Sequence, residues 1–142
     1  MILNLHFDKF DDNQFVFDGT QPLVMLERNC EYLVGLRFMH IELDSSTQIS
    51  KDNELWALST NLVDRSSANS YQALSYFTMT RGKWNQIHDP ASVVYHPLET
   101  HELQNPKIII QRITSSNILT IKKVFVQIEI KKCGESANHC VF

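Results

Sequence analysis

The strongest constraint on this chain is the period of its apolar residues, which is two rather than 3.6. Between Ile118 and Lys132, Val124, Val126, Ile128 and Ile130 alternate with Phe125, Gln127, Glu129 and Lys131. An extended segment with this pattern turns one apolar face inward and one mostly polar face outward. The preceding run, Lys107 to Thr114, is as rich in isoleucine, and the Ser115-Ser116-Asn117 step between the two has turn chemistry. Two one-sided strands in succession imply a sheet with a second layer against it.

The same period recurs upstream. Ile2 to Phe7, Gln14 to Phe17 ahead of an Asp18-Gly19 turn, and Gln21 to Arg28 read as strands, the last at an edge because Pro22 has no N–H for a ladder. Glu31 to Asp44 is the longest run. Strict alternation there puts Leu33, Gly35 and Arg37 on one face and Tyr32, Val34, Leu36, Phe38 and His40 on the other, with Gly35 marking a bend or bulge. After a polar loop from Ser45 to Asn53, strands are expected over Glu54 to Val63 and, past a surface loop at Asp64 to Ser70, over Gln72 to Met79. Arg81-Gly82 begins a turn, Trp84 to Ser92 has little pattern, and Val93 to Leu98 reads as a short strand.

Eight or nine such strands without helical periodicity are buried most simply by two packed antiparallel sheets. The predicted fold is therefore all-β: a single jelly-roll sandwich of about eight strands over residues 1–132, followed by a flexible C-terminal tail over 133–142. An immunoglobulin-like sandwich fits the 142-residue length but not the cysteines, since Cys30 has no partner before Cys133.

Charge narrows the partners. A net charge of -3 and a pI near 6.0 provide no attraction for a phosphate backbone, so nucleic acid is not an expected partner. Lys122, Lys123, Lys131 and Lys132 sit at the two ends of one strand-like run and read as solvated strand ends. No apolar stretch reaches the roughly 18 residues that cross a bilayer, and MILNLHFDKFDD lacks the basic start and long apolar core of a secretion signal. With three cysteines and no Asn-x-Ser/Thr sequon, the expectation is intracellular synthesis without secretion and without membrane association.

Residues capable of chemistry do not fall into catalytic spacing. His88, His96 and His101 with Asp89, Glu99 and Glu102 form a stretch rich in metal-ligating types, yet the spacing matches no ligand motif, and a loop histidine beside proline more often faces solvent or bonds backbone. Cys133 and Cys140 flank His139, which invites a zinc or disulfide reading, and a free thiol in the tail is preferred. Glycine occurs only at positions 19, 35, 82 and 134, too few for a nucleophile elbow or a phosphate-cradling loop. The chain is expected not to be an enzyme and to use no metal or cofactor.

The most distinctive stretch is Leu55-Trp56-Ala57-Leu58-Ser59-Thr60-Asn61-Leu62-Val63-Asp64-Arg65-Ser66, where a strand runs into an acid and an arginine. Asp64 and Arg65 either satisfy local backbone groups or meet a neighbouring subunit through the planar arginine fork. Phe15, Phe17, Phe125 and Phe142 are further candidates for surface that a second copy covers, Phe142 at the end of a tail arm.

From Glu54 onward the chain resembles the single jelly-roll, penton-type minor capsid proteins of Polinton or Maverick elements and adintoviruses. The resemblance rests on ELWALSTNLVDRSSANS, the aromatic strand ALSYFTM and the closing strands NPKIIIQRI and VFVQIEI, about two-thirds of the chain. It implies a jelly roll that pentamerises at the fivefold vertices of an icosahedral particle built mainly from a double jelly-roll major capsid protein, which would be its partner in the virion. Asp64, Arg65 and Phe142 are the candidate inter-subunit contacts. The chain is short for a penton carrying an added receptor-binding domain, so a trimeric cement role is an alternative, as is a lectin-like or trimeric ligand-type binding module recognising through Trp84 to His96. A cupin-like enzyme using His88, His96 and His101 ranks last.

Overall fold

The computed structural model describes residues 1–8, 10–11, 14–16, 24–43, 53–63, 65–67, 70–71, 73–80, 84–103, 106–113 and 121–135. Their regular structure is all strand. In chain order the strands are β1 (Ile2–Phe7), β2 (Phe10–Asp11), β3 (Gln14–Val16), β4 (Val24–Met25), β5 (Cys30–Leu43), β6 (Asn53–Thr60) and β7 (Arg65–Ser67). They continue with β8 (Ser70–Tyr71), β9 (Ala73–Thr80), β10 (Asn85–His88), β11 (Tyr95–Pro97), β12 (Glu102–Leu103), β13 (Lys107–Arg112) and β14 (Ile121–Glu135).

Two sheets carry the fold, and every pairing in them is antiparallel. The first runs β1-β14-β5, with β10 and β11 forming one interrupted row along the far edge of β5. The second runs β3-β13-β6-β9, extended at one edge by the β2–β3 hairpin. Taking β1, β3, β5, β6, β9, β10 with β11, β13 and β14 as eight rows in chain order, the first row neighbours the last, the last the third, and the third the sixth. In the other sheet the second neighbours the seventh, the seventh the fourth, and the fourth the fifth. This is the winding of a jelly roll, and it agrees with the fold expected from the alternating pattern. The β4–β12 pair and the β7–β8 hairpin lie outside the two sheets.

Alternation explains the core. Leu3, Leu5 and Phe7 of β1 point inward with Val124, Val126, Ile128 and Ile130 of β14, and they meet Trp56, Leu58, Leu74, Phe77, Met79, Ile108 and Ile110 of the other sheet. A fully buried side chain of this size contributes about 1.5–3 kcal/mol. The segment after β6 is tied down locally: the Thr60 hydroxyl donates to the Lys107 carbonyl at 2.8 Å, and the Lys107 N–H donates to Asn61 Oδ1 at 2.9 Å.

Strict alternation along β5 does not hold. Gln127 pairs with Phe38 but Ile128 pairs with Leu36, so Arg37 is an extra residue that reverses the parity of the strand. Val34 and Leu36 face the core before it, Met39, Ile41 and Leu43 after it, while Phe38 and His40 turn to the outer face and are only half-buried. Gly35 is not the bulge. A Cβ there would lie 2.6 Å from Val93 Cγ1 and 3.0 Å from the Val94 carbonyl oxygen, so the glycine admits a close crossing of the segment leading into β11.

Several boundaries move. Of the run from Gln21 to Arg28, the described residues are strand at Val24–Met25 and 21–23 lie outside them; the expected loop over Asp64 to Ser70 holds the β7–β8 hairpin, and the unpatterned stretch from Trp84 contains β10. β14 continues to Glu135, pairing with Cys30, three residues past the tail boundary expected at 132. Residues 136–142 of the expected tail lie outside the described residues.

Candidate functional site

The outer face of the first sheet carries a row in which histidines alternate with large apolar side chains. Cross-strand register places His6 opposite Phe125, Phe125 opposite His40, and His40 opposite Ile87, so one row crosses β1, β14, β5 and β10. His6 and Phe125 rings are 4.7 Å apart at their centroids, and Phe38 packs on Phe125 at 6.0 Å. Ile87 is 68% exposed and Ile2, on the same face of β1, 44%. Phe125, expected on the outer face from its place in the alternation, is there; Phe38 reaches it only because of the bulge at Arg37.

Beside this row the face becomes charged and internally matched. Glu129 accepts from the Tyr95 hydroxyl at 3.1 Å and pairs with Arg37 at 3.1 Å and Lys131 at 3.9 Å, while the Lys131 ammonium lies 4.4 Å from the Tyr95 ring centre. Further along, Lys122 pairs with Glu42 and Lys132 with Glu27. Acids therefore meet three of the four lysines that clustered in the sequence. The Glu27 carboxyl also accepts from the Cys30 thiol at 3.1 Å; Lys132 holds Glu27 below its ordinary range, and the Glu27 carboxylate raises Cys30, leaving a buried thiol in its neutral form.

Where the two sheets part, between β9 and the segment from β10 to β11, a cleft of about 320 Å3 opens. Leu36, Leu74 and Val94 are among its apolar lining and Ser75, His88 and His96 its polar lining. His88 Nε2 lies 3.3 Å from Ser75 Oγ, and burial lowers its pKa against the opposing pull of Asp89. His101 is not part of this cleft: its Nε2 contacts the Cys30 carbonyl at 2.9 Å and its ring packs edge-on against Tyr32. The three histidines thus do not converge. Among the described residues no group of three or more ligating side chains is placed to hold a metal.

The preferred reading of Cys133 as a free thiol is corrected. Cys133 occupies the extra position between Lys132 and Gly134 in β14 and is disulfide-bonded, with a partner outside the described residues. Of the candidate inter-subunit contacts, Arg65 belongs to β7, with no described side chain, whereas Asp64 and Phe142 lie outside the described residues. Phe15 is a backbone position in β3, and Phe17 also lies outside.

One buried feature had no signal in the sequence. Arg112 of β13 donates to Glu54 of β6 through Nε at 2.9 Å and through a second guanidinium nitrogen at 2.6 Å, with both side chains almost fully buried. The Trp56 indole N–H donates to the same carboxylate at 3.4 Å, and the guanidinium carbon lies 5.6 Å from the Trp56 ring centre. The residues are 58 positions apart, and only the register of β13 with β6 joins them. In comparisons with known proteins, no family model, curated protein or solved structure matches the chain.

Proposed function

We propose that this chain is a structural jelly-roll subunit that works by assembling with copies of itself, as a penton-like minor component at the vertices of an icosahedral virus-like particle whose main shell is a double jelly-roll protein. The carrying observation is the row of His6, Phe125, His40 and Ile87 on the outer face of the first sheet, with Phe38 packed against Phe125. Exposed apolar surface of this kind is retained where another surface covers it. The resemblance of the chain from Glu54 onward to penton-type capsid proteins names the assembly. The disulfide at Cys133 supports a life in the virion, since particle surfaces meet oxidising conditions that preserve such bonds.

The test is the mass of the purified protein by light scattering coupled to size exclusion, repeated for Phe125→Ser. Five copies, or a multiple of five, with a smaller mass for the variant, supports the vertex role. Three copies moves the chain to a cement protein, and a monomer at micromolar concentration overturns self-assembly. The cleft lined by Ser75, His88 and His96 favours the second reading, a jelly-roll binding module recognising a ligand through residues 84–96, and a monomer would bring that reading forward.

A further inference from the structure

We propose that β1 is a twofold contact between copies, in which the β1 strands of two chains pair antiparallel and join their first sheets into one. The inference rests on the self-assembly reading above and adds a twofold to it, so that five copies would carry the vertex role without the β1 contact and ten would carry both. Met1 and Ile130 exchange both backbone hydrogen bonds, the Met1 nitrogen donating to the Ile130 carbonyl at 2.9 Å and the Ile130 N–H to the Met1 carbonyl at 2.8 Å. β1 and β14 then pair without a register shift as far as Phe7. In such a ladder alternate residues bond inward, so Leu3 and Leu5 follow Met1 in bonding β14. The N–H and C=O groups of Ile2, Asn4 and His6 point out of the sheet, at the two-residue spacing a further strand needs.

Other edges among the described residues are blunted, and the contrast singles out β1. At β9 the Gln86 side chain takes the place of a strand: its Oε1 accepts from the Thr80 N–H at 3.3 Å and its Nε2 donates to the Thr80 carbonyl at 3.1 Å. A register shift at Leu74 interrupts the other end of that strand. The β10 and β11 edge is broken in two and ends in Pro97, and β2 is two residues long. Charge, proline, bulges and covering side chains are the devices by which sheets avoid edge-to-edge pairing. Ile-Leu-Asn-Leu-His-Phe has none of the first three and, among the described residues, no side chain on its outward backbone groups.

The occupant that fits is a second copy. A twofold axis normal to the sheet places Asn4 opposite Asn4, Ile2 opposite His6 and Leu3 opposite Leu5 of the second chain, and the outward pairs exchange backbone bonds in both directions. No carboxylate or ammonium meets its like, because the strand has neither. The same axis keeps the faces in register: the core sides of both sandwiches lie on one side, and on the other side His6, the end of one copy's outer row, lies against the exposed Ile2 of the second copy. A foreign strand has the backbone bonds available but not this coincidence of faces.

The experiment is light scattering on the parent, Asn4→Pro and Asn4→Lys. Proline removes an outward N–H that β14 does not use, and lysine places a charge on the edge; circular dichroism and thermal melting establish that each variant is folded. The expected result is an even number of copies in the parent and half that mass in both variants. A parent with an odd number of copies, or an even one whose mass the folded variants leave unchanged, overturns the β1 contact while self-assembly stands. A monomeric parent overturns both.

Discussion

Cutting the buried ion pair on one side tests whether the polar patch of the second sheet is held together by its own charges. Glu54 and Arg112 have 0% and 2% side-chain exposure, so neither charge is compensated by water. Arg112→Met preserves the length of the stem and its contact with the Trp56 ring but removes the two donors at 2.9 and 2.6 Å. Losing one partner of such a pair costs about 3–5 kcal/mol, chiefly because a charge stays buried after its counter-charge is gone. For a domain of this size that corresponds to a midpoint lowered by about 10–20 °C. The pair itself is worth far less than its half-removal, since desolvating two ions offsets most of their attraction. The double variant Glu54→Leu with Arg112→Met should therefore return to within about 1 kcal/mol of the parent. Urea unfolding of parent, single and double variants reads this directly. A loss below about 1 kcal/mol in Arg112→Met, or a double variant as unstable as the single one, would refute the reasoning.

Gly35→Ala should destabilise by about 1–3 kcal/mol, because its new methyl meets Val93 Cγ1 at 2.6 Å with backbone at 3.0 Å behind it; failure of Val93→Ala to recover part of that loss in urea unfolding would contradict the account. His88 contributes a pH slope of known sign: its pKa is lowered on folding, so the unfolded chain takes up the proton first, and stability declines as pH falls through the unfolded value of about 6.5 towards the folded one. His88→Gln should lose less stability than the parent between about pH 7.5 and pH 5, and equal losses in both proteins would show that His88 is not desolvated.

The layer structure was legible because it depends on a local property. Alternation over Val124 to Ile130 and over Ile2 to Phe7 states which side chains are buried, and the structure buries them. Phe125 was legible for the same reason. Phe38 was not, because one extra residue at Arg37 reverses the parity of everything after it, and glycine at position 35, the natural mark of a bulge, serves a close crossing two residues earlier. β10 was missed because its sequence, Asn-Gln-Ile-His, has one apolar residue, and that residue faces out. The strand exists because β5 offers a ladder, a tertiary cause that a propensity scale does not contain.

Sites on this protein are made by neighbours that are distant in sequence, and this decides what a sequence can reveal about them. His6, Phe125, His40 and Ile87 form a row only once the jelly-roll order places β14 between β1 and β5 and β10 beyond it. Glu54 meets Arg112 only through the β13 to β6 register. The edge property of β1 is different in kind. Its lack of charge and proline is plain in the first seven residues, but it acquires meaning only when the sheet order makes β1 an edge and the Met1–Ile130 bonds fix which backbone groups point away. The same six residues in the middle of a sheet would be unremarkable, since a central strand has no outward ladder to protect. Topology thus converts a bland composition into a surface with a definite partner geometry, and a single proline or lysine at Asn4, neutral to the core, is enough to reveal whether the protein uses it.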